Sequence, residues 1–258
     1  MATLTMRCAS RSDVGRRANN EDAVLSTPRL VAVADGVGGA NAGEVASRWA
    51  INEMIALERR RLTGDLADEL SAAVVRANAT LGFLVACRPE WAGMGTTLVA
   101  VALANEGTYL VASVGDSRAY LLRDGGLTRL TRDQSLVQKL IDEGAITPAQ
   151  ARSHPQRSVV LQALDGDPHT FAPPVSVTAR ADDRLLLCSD GLSDVLDDAT
   201  IAAVLAGERD REQAAAKLVS LALDGGGRDN VSAVVADVVG HEDPAGGWLD
   251  ALPAPSAH

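Results

Sequence analysis

The sequence predicts an α+β fold with antiparallel sheet layered against helices. Three observations carry that prediction. Apolar runs at 97–103, 108–114 and 119–122 are separated only by short turns, among them Gly115-Asp116-Ser117 and Asp124-Gly125. Turns that short join antiparallel strands, because a parallel crossover takes a dozen or more residues. Two long stretches of helical spacing stand together after the first strands, and two more stand together near the end. Grouped strands and grouped helices make α+β layers rather than an alternating parallel sheet. Finally, the chain has 258 residues and is 47% hydrophobic. That is enough for a large core, in one domain or two small ones.

In chain order, residues 3–11 alternate as a first strand and 12–22 are a polar loop. Two short strands follow at 23–26 and 30–34. Ala46, Ala50, Met54 and Leu57 then fall on one helical face, with Trp49 expected in the core. Thr63-Gly64-Asp65 breaks this helix. A second carries Leu66, Leu70, Ala73, Ala77, Leu81 and Leu84 at three- and four-residue steps. A loop at 91–95 leads into the meander. Residues 133–143 form a short amphipathic helix stopped by Gly144, and Thr147-Pro148 starts another with proline at its first position. His154 belongs to a turn, and an apolar run ends at Leu164.

The stretch 133–168 reads as an insertion between sheet elements, either a flap or a helical corner of the core. Strands resume at 174–178 and 184–188, and helices at 201–205 and 213–223. Asp210 and Gln213 have the spacing of a capping box. The strand 231–239 closes the sheet. Residues 1–239 thus make the domain, and 240–258, rich in Pro, Gly and Ala, make a disordered tail.

Composition excludes several classes. Net charge is −10, and lysine stands only at Lys139 and Lys217. Nucleic acid and anionic membrane surfaces are poor partners for such a chain. Cys8, Cys87 and Cys188 are few and far apart, which excludes a disulfide framework and a cysteine zinc site and fits a reducing compartment. The N-terminus lacks a signal-peptide apolar region, and there is no run of 18 apolar residues. The expectation is a soluble, cytoplasmic protein.

The chemistry lies at strand ends. Ala34-Asp35-Gly36, Ser189-Asp190-Gly191 and Arg228-Asp229-Asn230 each set an aspartate against an apolar strand. Asp116 follows another strand, and Glu21-Asp22 precedes one. Any single Asp-Gly is most simply a turn, and Asp35 alone reads equally as a cap for the next helix. Together they are carboxylates that cannot share a cleft ionised without a counter-charge. The donors are all oxygens, so Mg²⁺ or Mn²⁺ suits them better than zinc. Gly36 lets the backbone approach such an ion and offer its carbonyl. Arg118 is expected to pair with a nearby acid.

The motifs Arg17-Ala-Asn-Asn-Glu-Asp22, Ala34-Asp-Gly-Val-Gly-Gly39, Gly43-Glu-Val-Ala-Ser47, Met94-Gly-Thr-Thr97, Gly115-Asp-Ser-Arg118, Ser189-Asp-Gly-Leu192 and Asp229-Asn-Val231 resemble, in order, those of the metal-dependent protein phosphatases (PPM, type 2C), closest to the bacterial Ser/Thr phosphatase branch. The resemblance runs from Ser12 to about Val238 and implies an αββα sandwich of two antiparallel sheets flanked by helix pairs. It implies two or three Mn²⁺ or Mg²⁺ ions. Asp35 would bridge two of them with the Gly36 carbonyl as a further ligand. Asp190 and Asp229 would hold the second, and Glu21 and Asp22 would act through water. Asp116 and Asp190, with Ser158, would hold a third. Arg17 would grip the substrate phosphate, to which a guanidinium fork is suited. Val37 stands where some members carry histidine, so the resemblance assigns no imidazole proton donor.

The implied activity is hydrolysis of phosphoserine and phosphothreonine monoesters by metal-activated water. The implied partners are phosphorylated proteins, with a bacterial Ser/Thr kinase and its substrates among them, and the chain is expected to act as a monomer. A non-catalytic phosphoprotein-binding regulator on the same fold is the alternative reading.

Overall fold

The structure, a computed structural model, describes residues 3–38, 42–60, 65–104, 107–170 and 173–241. Strands β1 (Thr3–Asp13), β2 (Asp22–Ser26) and β3 (Leu30–Val37) precede helices α1 (Ala42–Arg59) and α2 (Leu66–Cys87). The meander then runs through β4 (Gly95–Thr96), β5 (Leu98–Ala104), β6 (Thr108–Val114), β7 (Arg118–Arg123) and β8 (Gly126–Arg129). Short helices α3 (Leu136–Asp142) and α4 (Pro148–Arg152) lead to β9 (Val175–Thr178) and β10 (Arg184–Cys188). The chain closes with α5 (Asp190–Ser193), α6 (Asp198–Gly207), α7 (Arg211–Asp224) and β11 (Val231–His241).

Two antiparallel sheets face each other. One has the order β1-β11-β10-β7-β8, and the other the order β2-β3-β5-β6-β9 with β4 added to β3. Strand alternation explains the layers, since successive side chains point to opposite faces. Val31 and Val33 of β3 face inward with Val99 and Val101, against Leu185, Leu187, Val234 and Ala236 of the other sheet. Leu30, Ala32 and Ala34 point the other way, onto Ala46, Ala50 and Met54 of α1 and Leu70 of α2. On the opposite outer face, Leu186, Cys188 and Val235 meet Ile201 and Leu205 of α6 and Leu218 of α7. The expected αββα sandwich is the observed one. Buried on both faces, β3 reads as a continuous apolar run rather than an alternating one.

Several local expectations change. β3 does not stop at residue 34 but continues through Asp35 and Gly36 to Val37. Asp35 is therefore a ladder residue, paired with Asp22, and not a cap. Trp49 is 40% exposed and lies outside the core. α2 is long and apolar enough to cross a membrane by length and composition, which the absence of an unbroken apolar run concealed. Its Leu70, Ala73, Val74, Ala77 and Leu81 are buried in the core, and Val75 and Phe83 are exposed. The segment 133–168 is tied back at both ends. Ser135 bridges Val160, and Thr96 and Leu164 exchange backbone hydrogen bonds of 2.9 and 2.8 Å. Thr147 and Gln150 make a reciprocal capping box on α4. β11 runs two residues past the expected boundary, to His241. The tail from 242, and the helix break at Thr63-Gly64, lie outside the described residues.

Candidate active site

Four strand ends converge at one end of the sandwich. Asp22 opens β2 and stands opposite Asp35 of β3 in the ladder. Asp190 follows the end of β10 as the first residue of α5. Asp229 immediately precedes Asn230 and β11. Asp116 sits in the turn after β6, behind Gly115 at a φ of 98°, a left-handed conformation that suits glycine.

Short polar links hold these pieces in place. The Ser189 hydroxyl donates to Asp22 Oδ2 at 2.8 Å and accepts from the Ser232 amide at 3.0 Å. The buried Asn230 accepts from the Glu21 amide at 2.8 Å and donates to the Val14 and Asn19 carbonyls, both at 2.9 Å. That clamps the loop carrying Arg17 and Glu21 beside Asp229. The Thr97 hydroxyl accepts from the Asp35 amide at 3.0 Å and lies 2.7 Å from the Ser117 hydroxyl. A Cβ on Gly36 would lie 2.2 Å from the Gly43 carbonyl oxygen, so the start of α1 rests directly on β3 there.

The acids crowd one another. Burial, then Asp22 and Asp190, hold the Asp35 carboxyl well above the usual carboxylate range. Burial is also the main cause of the rise of Asp22 to about 6. The same holds for Asp116, at about 6 with Asp133 and Asp194 adding to it, and for Asp190, at about 8 with Asp116 and Asp194 adding to it. Glu21 is raised by burial too. Asp22 Oδ1 and Asp190 Oδ1 are buried without a hydrogen-bond partner. Buried polar atoms are nearly always paired, so these two oxygens point to a missing cationic or donor partner.

Arg17 stands at the mouth of this cluster. Its Nη2 donates to Asp229 Oδ2 at 2.6 Å, with both side chains more than a third exposed. This hydrogen bond is the main cause of the raised guanidinium pKa.

The expected ligand set is only partly assembled. Asp22, Asp35 and Asp190 come together, with Asp116 on one side and Asp229 on the other. Ser158 is exposed and lines a cavity of about 450 Å³ with Asp190 and Asp229. Asp116 instead lines a second cavity of about 590 Å³, which Ser158 does not reach. Both cavities touch Asp190 and Asp194. Arg118 pairs with Asp133 at 2.6 Å, as expected of a structural partner. The backbone amide of Gln156 donates to His154 Nδ1 at 3.1 Å within a turn.

Sequence reading missed Asp194, Asn230, Ser189 and Thr97. Asp194 stands four residues after Asp190, one helical turn on, but a four-residue helix gives no period from which to read it. Only the one-turn helix α5 makes that spacing count.

Among the described residues, no three acidic, histidine or cysteine side chains already enclose a metal position. The all-oxygen donors and orphaned carboxylate oxygens fit Mg²⁺ or Mn²⁺, which complete their shells with water and so need few protein ligands. Asp22, Asp35, Asp190 and Asp229 are the residues that could hold them here.

Comparison with known proteins bears on this geometry. The protein phosphatase 2C family model matches residues 11–222. The serine/threonine protein phosphatase PstP of Mycobacterium tuberculosis (strain ATCC 25618 / H37Rv) is 50% identical over 242 residues, covering 93% of this chain and 46% of that protein. The chain thus spans about half the length of the first curated relatives it matches. The serine/threonine phosphatase stp of Listeria innocua serovar 6a is 33% identical over 242 residues, covering 90% of this chain and 96% of the relative. A crystal structure of the PstP catalytic domain with two manganese ions superposes with a TM-score of 0.86 at 47% identity, covering 92% of this chain and 100% of that one.

Proposed function

Because the chain belongs to the protein phosphatase 2C family, we propose that it is a Mg²⁺- or Mn²⁺-dependent phosphatase of phosphoserine and phosphothreonine side chains in proteins. One observation carries this reading. Asp22, Asp35 and Asp190 crowd one end of the sandwich with two orphaned carboxylate oxygens, beside an exposed arginine fork.

Asp35, the Gly36 carbonyl, Asp190 and Asp229 are the groups that would hold the ions. Glu21 and Asp22 would act on them through water. Bound divalent cations supply activated water at neutral pH and offset the charge that develops on the phosphoryl group. The protein itself positions and excludes. Asn230 fixes the loop that carries Arg17 and Glu21. Arg17 presents its guanidinium to the phosphate oxygens, where paired N–H donors match paired acceptors. Thr97 and Thr96 fix the backbone of Asp35 by hydrogen bonds of 3.0 and 2.9 Å, which keeps its carboxyl at one height on the ladder. Val37, following Gly36, is partly exposed and apolar, so the chain offers no imidazole there.

The physiological setting is a bacterial Ser/Thr kinase and the proteins it phosphorylates, opposed by a cytoplasmic monomer. PstP and stp are named serine/threonine phosphatases, and three free cysteines suit a reducing compartment. Hydrolysis of a phosphothreonine peptide with manganese tests the reading. The expected result is turnover that Asp35→Ala reduces by about 10³-fold or more. Turnover no higher than in the Asp35→Ala protein overturns it. Phosphopeptide binding without turnover would favour the regulator reading instead.

A further inference from the structure

Helix α2 carries Asn78 among its buried residues Val74, Ala77 and Leu81. The side chain is out of place there by composition. Asparagine is a poor helix former beside alanine or leucine, and a buried amide is costly unless its donors and acceptors are paired. Asn78 is 4% exposed, and it finds its partners far along the chain. Its Oδ1 accepts from the backbone amides of Asp165 at 3.1 Å and Gly166 at 2.8 Å, and its Nδ2 donates to the Asp167 carbonyl at 2.7 Å. One side chain thus holds three successive residues of the loop that ends the 133–168 segment.

That loop is also braced internally. Asp165 Oδ1 accepts from the Asp167 amide at 2.9 Å, and the Thr170 hydroxyl donates to the Ala163 carbonyl at 3.3 Å. It rests directly on α2, since a Cβ on Gly166 would lie 2.5 Å from the Gly82 Cα. Leu164, one residue before the Asn78 contacts, exchanges both backbone hydrogen bonds with Thr96 of β4. β4 has only two residues, well short of an ordinary strand, so its neighbours must place it. Leu164 lies on one edge and β3 on the other, with Thr96 opposite Gly36 and Gly95 opposite Val37. The Thr96 hydroxyl then donates to the Asp35 carbonyl at 2.9 Å. Contiguous bonded contacts therefore lead from Asn78, through the loop backbone and β4, to Asp35 and Gly36.

We infer that Asn78 is a positioning residue of the active site: from α2, outside the sheets, it sets the 164–167 loop and, through Thr96, the backbone of Asp35 and Gly36. The inference rests on the phosphatase reading above for the reaction that this positioning serves. An asparagine that only stabilised the fold would act on the whole domain alike. A positioning asparagine acts on β4 and the groups beside it.

Asn78→Ala in the full chain removes all three bonds and tests this. In metal-free protein, hydrogen exchange at the Thr96 and Leu164 amides should quicken about tenfold relative to Val101 in β5, a ratio that divides out global unfolding. Manganese affinity, read by electron paramagnetic resonance, should weaken about tenfold, the usual scale for losing a group that orients a metal ligand. At saturating manganese, kcat on a phosphothreonine peptide should fall about tenfold while KM changes by less than about twofold. Leu70→Ala is the control, a buried residue about two turns earlier on the same helix. It should lower the melting temperature but leave the exchange ratio, manganese affinity and kcat unchanged. Gly166→Ala, which lifts the loop off α2 with Asn78 intact, should reproduce the Asn78→Ala losses, and it decides the matter where Asn78→Ala does not fold. An Asn78→Ala protein that melts lower yet keeps its exchange ratio and manganese affinity overturns the inference, as does Gly166→Ala with both unchanged. A parent chain without turnover overturns the phosphatase reading instead, and the exchange ratio still decides for or against Asn78.

Discussion

At its start, β10 places Arg184 against Asp237 at 2.6 Å, and just before it Asp183 is enclosed by partners. Arg123 donates to both Asp183 oxygens at 2.6 Å, the Tyr109 hydroxyl donates at 2.8 Å, and the Arg180 amide donates at 2.8 Å. Burial pushes the Asp183 carboxyl up, but these donors outweigh it and hold it below the usual range. Past the other end of the same strand, Asp190 rises to about 8 with an oxygen unpartnered. The domain thus carries buried acids at both ends, and at one of them Asp22, Asp35 and Asp190 have no arginine partner among the described residues, although their neighbours Asp133 and Asp229 do. An acid with its own guanidinium supports the fold. An acid left short of one is a site waiting for a cation.

The sharpest way to break this comparison is to neutralise one acid at each end in metal-free protein. Asp183→Asn strips the counter-charge from Arg123 and weakens the partner of a buried tyrosine. It should cost about 3 kcal/mol, a fall in melting temperature of roughly 6–12 °C for a domain of this size. Asp22→Asn removes a charge that has no cation, so the metal-free melting temperature should hold or rise, and the gain with manganese should shrink. Equal losses in calorimetry would erase the distinction.

A second test uses pH. Asp22 and Asp116 at about 6 and Asp190 at about 8 exceed the unfolded value near ~4. Between about pH 4 and 8 the folded state therefore holds more protons than the unfolded one, and this end loses stability as pH rises. Asp183 has the opposite sign. Its contribution is complete above about pH 4 and lost as pH falls through its lowered folded value. Melting scans without metal should decline from about pH 5 to 8, and saturating manganese should flatten the slope. An identical slope with and without manganese would contradict the assignment of the crowded acids to cations.

The smallest expected effect concerns Arg17, the cation at the mouth of the crowded end. Its pair with Asp229 is exposed, and such pairs contribute about 0–1 kcal/mol. Arg17→Ala should therefore barely move the melting temperature, while weakening inhibition by inorganic phosphate by about tenfold, or ~1.4 kcal/mol. A large stability loss would place Arg17 in the same class as Arg123.

Much of this was legible in the sequence, for physical reasons. β3 is buried on both faces, so its apolar run was visible, and an aspartate ending such a run was conspicuous. The αββα arrangement needed the resemblance, because turn lengths give antiparallel pairing but not which sheet a strand joins. Trp49 followed the periodicity of α1 yet sits at the edge of the buried face, a distinction that spacing does not record. α5 is a single turn with no period to read, and Asp194 stayed hidden with it. The Arg17–Asp229 pair and the Asn230 clamp join residues more than two hundred positions apart, and no local pattern encodes them.

The hydroxyl of Ser189 spans the gap between the sheets. It follows β10 in one sheet and donates to Asp22 of the other, while accepting from Ser232 beside it. Asp35 lies across from Asp22 on one sheet, and Asp190 adjoins Ser189 on the other. The separation between these two carboxylates therefore belongs to no single strand or loop. It is set by how the two sheets are stacked, and the Ser189 hydroxyl makes one of the bonds that fix that stacking.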